Sequence, residues 1–140
     1  MAEYIATALQ TVEENQNILF TDTTACGNSS IIHTNGSGLV TVRGITNQWR
    51  ARFKVTFGGN IAIPTDGTVE EISVAIAING ETIPETIMRV TPAAVEEFFN
   101  VSRSTYINIP AGCCAQISVK NTSTQAIDVQ NANLIIERVA

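Results

Sequence analysis

Apolar residues come in short runs at close spacing, separated by turn chemistry, which predicts an all-β chain. The clearest run spans residues 49–57. Trp49, Ala51, Phe53, Val55 and Phe57 take one face, and Arg50, Arg52, Lys54 and Thr56 take the other. Period-two alternation of this kind is the mark of a strand with one buried face. Gly58-Gly59-Asn60 reads as a turn or bulge before residues 61–64. A second alternation covers residues 113–121: Cys113, Ala115, Ile117 and Val119 oppose Cys114, Gln116, Ser118 and Lys120. That pattern puts Cys113 inside the sandwich and leaves Cys114 more reactive.

Residues 69–78 differ. Ile72, Val74, Ile76 and Ile78 line one face and Ser73, Ala75 and Ala77 the other, with no charge on either. A strand on the surface of a monomer carries polar or charged groups on its outer face. Ile72, Val74, Ala75, Ile76, Ala77 and Ile78 are therefore expected in the core or at an oligomer interface. Further strands are expected at residues 4–12, 17–21, 30–34, 39–43, 82–90, 98–101, 105–109 and 126–139. Asn35-Gly36 and Asn79-Gly80 are hairpin turns of the primed kind. Residues 91–97 suit either a loop or a helical turn, with Thr91 as cap and Pro92 at the first position. About ten strands result, in one domain over 1–140. Residues 1–16 read as an arm or an edge strand.

Composition agrees. The 18 Ile, 12 Val and 17 Thr make one third of the chain, and stiff β-branched side chains favour strands. Charged residues are only 15% and the net charge is −5. With eight basic residues there is no phosphate-binding stripe, which speaks against nucleic acid. The apolar run at residues 74–78 is far short of the roughly 20 needed to span a membrane as a helix. The start Met1-Ala2-Glu3-Tyr4 lacks the pattern of a signal peptide, so export by the general secretory route is not expected.

Candidate chemistry is thin. His33 is the one histidine and there is no Cys-x-x-Cys, so no zinc site is expected within one chain. Nothing in the spacing pairs Cys26, Cys113 or Cys114 with His33 as nucleophile and base. No phosphate loop, dinucleotide fingerprint or Gly-x-Ser-x-Gly occurs. The pairs Glu13-Glu14, Glu70-Glu71 and Glu96-Glu97 fall at turns and read as solvated surface. The sequons at Asn28, Asn35, Asn100 and Asn121 read as incidental. No catalytic residue, metal or cofactor is expected. Trp49, Tyr4 and Tyr106 are the aromatics that a ligand could contact.

Two stretches carry a resemblance. Tyr106-Ile107-Asn108-Ile109-Pro110-Ala111-Gly112 and then Ile117-Ser118-Val119-Lys120-Asn121-Thr122-Ser123 resemble the last strands of trimeric jelly rolls of the tumour-necrosis-factor-like and complement-head-like type. Asn60-Ile61-Ala62-Ile63-Pro64, residues 73–80 and Asn131-Ala132-Asn133-Leu134 are similar to jelly-roll structural proteins of bacteriophages and prophages of gut Firmicutes. The chain is also similar to the head domain of collagen-like spore-surface glycoproteins, but lacks their Gly-X-Y stalk. The resemblance implies an antiparallel β-sandwich, a jelly roll assembled as a homotrimer. It implies a non-enzymatic virion protein made in the bacterial host cytoplasm: a head decoration, head fibre or accessory capsid protein. Its partners would be capsid or fibre subunits. The rival reading is a host-surface glycan-binding module of a phage fibre, or a spore- or cell-surface head domain.

Overall fold

The computed structural model describes residues 1–26, 30–112 and 114–140; the expected burial of Cys113 lies outside them. Twelve strands are formed: β1 (Ala2–Ala6), β2 (Gln10–Val12), β3 (Asp22–Ala25), β4 (Ile31–His33), β5 (Val40–Arg43), β6 (Arg50–Ala62), β7 (Ile72–Ile78), β8 (Glu81–Thr82), β9 (Met88–Val90), β10 (Phe99–Pro110), β11 (Cys114–Asn121) and β12 (Ile127–Arg138). They make two antiparallel six-stranded sheets. The first runs β10-β6-β12-β1-β3, with β2 on β12; the second runs β4-β5-β11-β7-β8, with β9 on β7. All-β sandwich architecture thus stands as read from the alternation.

The core lies between the sheets. β6 contributes Ala51, Phe53, Val55, Phe57 and Ile61, β12 contributes Leu134 and Ile136, and the facing sheet contributes Val40, Val42, Ile76, Ile117 and Val119. All twelve are fully buried. Burying a side chain of this size is worth about 1.5–3 kcal/mol, so this layer is the main source of stability.

Several expected elements merge. β6 runs straight through Gly58-Gly59 instead of turning there. A Cβ on Gly59 would lie 3.1 Å from the Phe57 ring and 3.4 Å from the Ala132 backbone, so the glycine permits close approach. The expected strands at 98–101 and 105–109 are one strand, β10, zipped to β6 from Phe99↔Ile61 to Pro110↔Arg50. β12 is also continuous, with a bulge between Gln130 and Asn133 where Asn131 takes φ 54°. Ala2–Ala6 is neither an arm nor an edge: it lies between β12 and β3.

Other expected elements break. The strand at 82–90 splits into β8 and β9 around a 3₁₀ turn at Pro84–Thr86. Thr86 repairs the gap. The Ile76 N–H donates to Thr86 Oγ1 at 3.0 Å, and that hydroxyl donates to Ile83 O at 2.7 Å. Asn17 keeps only a single bridge to Lys120. Residues 91–97 hold no helix; Glu96 has φ 58° and its N–H bonds Ile63 O, which fixes a loop. Asn79 and Gly80 both have positive φ, as a primed turn requires, but at 35–36 only Gly36 does, so that turn is not primed.

β7 is closed on both faces by its own chain. Ile72, Val74, Ala75, Ile76 and Ala77 are fully buried and Ile78 half-buried. Ala75 stands opposite Lys120 and Ala77 opposite Ser118. Lys120 Nζ reaches the Gly80 carbonyl at 3.0 Å, beyond Ala77, so its aliphatic stem runs along these small residues. Ala75→Glu would place a charge in a site closed within the protomer. We expect a loss of several kcal/mol. Chemical denaturation should report unfolding, not dissociation into folded subunits. Thr86→Val should leave the buried Ile76 N–H unpaired and lower stability by about 1–3 kcal/mol, seen as a lower denaturation midpoint at unchanged m.

Candidate functional site

The expected aromatics part company. Tyr4 is buried, its ring 4.4 Å from that of His33. Burial pushes its phenol above the ordinary range, and the Cys26 thiol adds to this. Beside it is a shallow concavity of about 490 Å³, also lined by Thr23, Cys26, Ile31, Ile32, His33 and Asn35. Cys26 and His33 thus line one cavity, a proximity the spacing does not reveal. They form no nucleophile–base pair, however. His33 Nε2 bonds Ser37 O at 2.8 Å, and Nδ1 is buried without a partner. No group of three or more His, Cys, Asp or Glu capable of holding a metal occurs among the described residues.

Trp49 and Tyr106 are instead 75% and 62% exposed. Tyr106 lies on the outer face of β10-β6-β12-β1, and Trp49 stands just before β6, against Arg50 at the end of that face. There β6 presents Arg50, Arg52 and Lys54, and β10 presents Tyr106 opposite Lys54 and Asn108 opposite Arg52. Arg50 Nη1 and Arg52 Nε both donate to Asn108 Oδ1, at 3.3 and 3.1 Å. The Arg50 guanidinium lies over the Trp49 ring at 4.7 Å. Sequence reasoning singled out the two aromatics but missed Asn108, which joins the arginines. The signal was available only through the strand pairing, more than 50 residues away in sequence.

The loop that carries Trp49 is anchored at both ends. The Ala111 N–H bonds Trp49 O at 2.9 Å and the Gly112 N–H bonds Gly44 O at 3.1 Å. A Cβ on Gly44 would come within 2.3 Å of Pro110 O, so only glycine lets the loop start this close to β10. Arg138 Nη1 holds the Ile45 carbonyl from the neighbouring strand. Ile45, Thr46, Asn47, Gln48 and Arg138 line a second open concavity of about 500 Å³ beside Trp49.

Further along the same face the polar groups satisfy one another. Thr56 and Ser104 share a 2.6 Å bond, and Asn100 Nδ2 donates to Asn60 Oδ1 at 3.1 Å. Glu3 accepts from Thr24 at 2.7 Å and from Asn133. The Thr24 bond, then the Asn133 bond, hold the Glu3 carboxyl below its ordinary value. A lowered carboxylate favours the fold above its unfolded pKa, and that contribution is lost as pH falls through the lowered value. Thr24→Val and Asn133→Ala should each raise the Glu3 midpoint, Thr24→Val the more, in an NMR titration of the side-chain carboxyl.

No helix among the described residues is long and apolar enough to cross a membrane. No protein-family model and no curated protein sequence matches the chain. Solved structures do. The chain is similar to the globular domain of zebrafish complement 1qA protein, with a TM-score of 0.63 and 8% identity over 96% of this chain and 94% of that one. It is similar also to PRD1 vertex protein P5, with a TM-score of 0.55 and 8% identity over 99% and 96%. At such identities the likeness establishes the jelly-roll fold, and only the fold.

Proposed function

We propose that the chain is a non-enzymatic structural protein of a phage particle, displayed on the virion as a homotrimer. A head decoration, a head fibre or a similar accessory fits. The observation that supports this most is the likeness to a phage vertex protein over 99% of this chain and 96% of that one. The two concavities described above are open and shallow. Charged residues are only 15% of the chain, so much of its surface is free of the charge that keeps monomers apart. β7 is not offered as the trimer contact, because one chain already covers it. Capsid or fibre subunits would be the other partners, with assembly in the bacterial host cytoplasm.

A second reading is compatible with the first: the trimer recognises a saccharide on the host surface. The exposed Trp49 and Tyr106 favour it, since a flat ring suits a sugar face.

Light scattering at micromolar concentration should give about three times the 15.0 kDa chain mass. Antibody labelling of purified particles in the electron microscope should decorate the capsid surface. A clean monomer would remove the trimer, and unlabelled particles would remove the virion assignment.

A further inference from the structure

The second reading leaves the class of saccharide open, and the Trp49 corner narrows it. Arg50, Arg52 and Lys54 occupy successive outward positions of β6. Three of the eight basic residues of an acidic chain thus line one strand face, while Arg138, opposite the buried Phe53, starts from the other face. Lys54 faces Glu137 across the sheet. Among the described residues, no carboxylate lies within ion-pair distance of Arg50 or Arg52; the pair that does form, Arg89–Glu71, is on the other sheet. Two like charges are therefore held side by side by one neutral acceptor, Asn108 Oδ1. Each guanidinium has five N–H donors, and most of these stay unused. An arginine pair that needs only fold stability would be placed beside a carboxylate; this pair is left ready to receive one.

The surroundings indicate what carries the anion. Arg50 covers one face of the Trp49 ring, and at 75% exposure the other face is open. Thr46, Asn47 and Gln48 put a hydroxyl and two amides around the adjoining concavity. We infer that this corner binds an acidic saccharide, a sugar unit bearing a carboxylate or phosphate group. The anion lies on Arg50 and Arg52, the sugar ring stacks on Trp49, and its hydroxyls meet the 46–48 loop. An acidic peptide would satisfy the arginines but would leave the flat ring and the amide-lined concavity without a matched partner. The inference rests on the saccharide reading above and names its chemistry.

Trp49 is the only tryptophan, so selectively excited tryptophan emission of the assembled protein reports on this corner alone. Tetragalacturonate, uncharged maltotetraose and sodium acetate are the probes. Tetragalacturonate should change the emission saturably, with affinity falling as salt rises from about 50 to about 300 mM. Maltotetraose should bind about tenfold or more weakly, and acetate at equal charge should leave the emission unchanged. Asn108→Asp sets a carboxylate between the two guanidiniums, an internal competitor for the ligand. It should lower uronate affinity by about tenfold or more with unchanged oligomer size and a melting temperature no lower than the parent's. Arg52→Gln should weaken uronate binding too and leave maltotetraose unaffected. Equal binding of the two tetrasaccharides would overturn the acidic assignment while leaving saccharide recognition standing. Acetate acting as strongly as the uronate would reduce the corner to an anion site and overturn it, as would Asn108→Asp binding like the parent. Silence toward both tetrasaccharides, or an indole shielded from acrylamide in the assembled protein, would remove the site and the saccharide reading together.

Discussion

The pairing of β6 on both flanks is the constraint on which the rest of the sandwich depends. Its thirteen residues are zipped to β10 on one side and to β12 on the other. Both partners lie far away in sequence, so the chain must close long loops before the register exists. Side chains alternate with a period of two, and a slip of one residue would turn Phe53, Val55 and Phe57 to water and the three cations to the core. Burial therefore selects one register strongly. That same register sets Asn108 opposite Arg52, so the outer corner is fixed by the energetics of the inner face.

The second sheet solves a different problem. β7 has no charged residue, and its outer face is made of small side chains. These are closed by close neighbours, not by a second layer: Ser118 beside Ala77, the Lys120 stem, and Ser73 with its 2.6 Å bond to Thr122. Asn121 ends the neighbouring strand. Fully buried, it donates to Val12 O at 3.0 Å and Gln125 O at 2.9 Å and accepts from the Ser123 N–H at 2.9 Å. One side chain thereby ties β2, β11 and the turn into β12. Its place in a glycosylation-type sequon has no bearing on that role.

What could be read from the sequence was whatever depends on near neighbours. The alternation at 49–57, the uncharged β7 and the Asn79-Gly80 turn follow from side-chain periodicity and positive φ, so they were legible. Strand joins were not. Gly58-Gly59 looks like a turn until Phe57 and Ala132 are seen to crowd it, and Pro84 looks like an edge-strand proline until Thr86 is seen replacing a ladder bond. Burial on both faces of β7 was legible, but the alternation held no information on whether the cover came from the same chain. The site divides in the same way. Exposed aromatics could be nominated one at a time, yet Tyr4 and Trp49 differ only in what the fold puts beside them.

Stability and recognition are separated here across the thickness of a single strand. The inward half of β6 is fully buried and apolar, and would serve any sandwich of this topology. The outward half breaks a local rule, because cations set two residues apart repel and natural surfaces usually intersperse carboxylates. The chain has 13 acidic residues, yet the residue between Arg50 and Arg52 is a neutral amide. A departure from local consistency with no gain to the fold is expected where a surface serves binding. Anchoring the Trp49 loop at Gly44 and Ala111 acts in the same direction, since a ring held in place loses less entropy when it meets a ligand. If each subunit of an assembly carried such a corner, weak contacts at several copies would add through effective concentration, so a shallow site need not bind tightly alone.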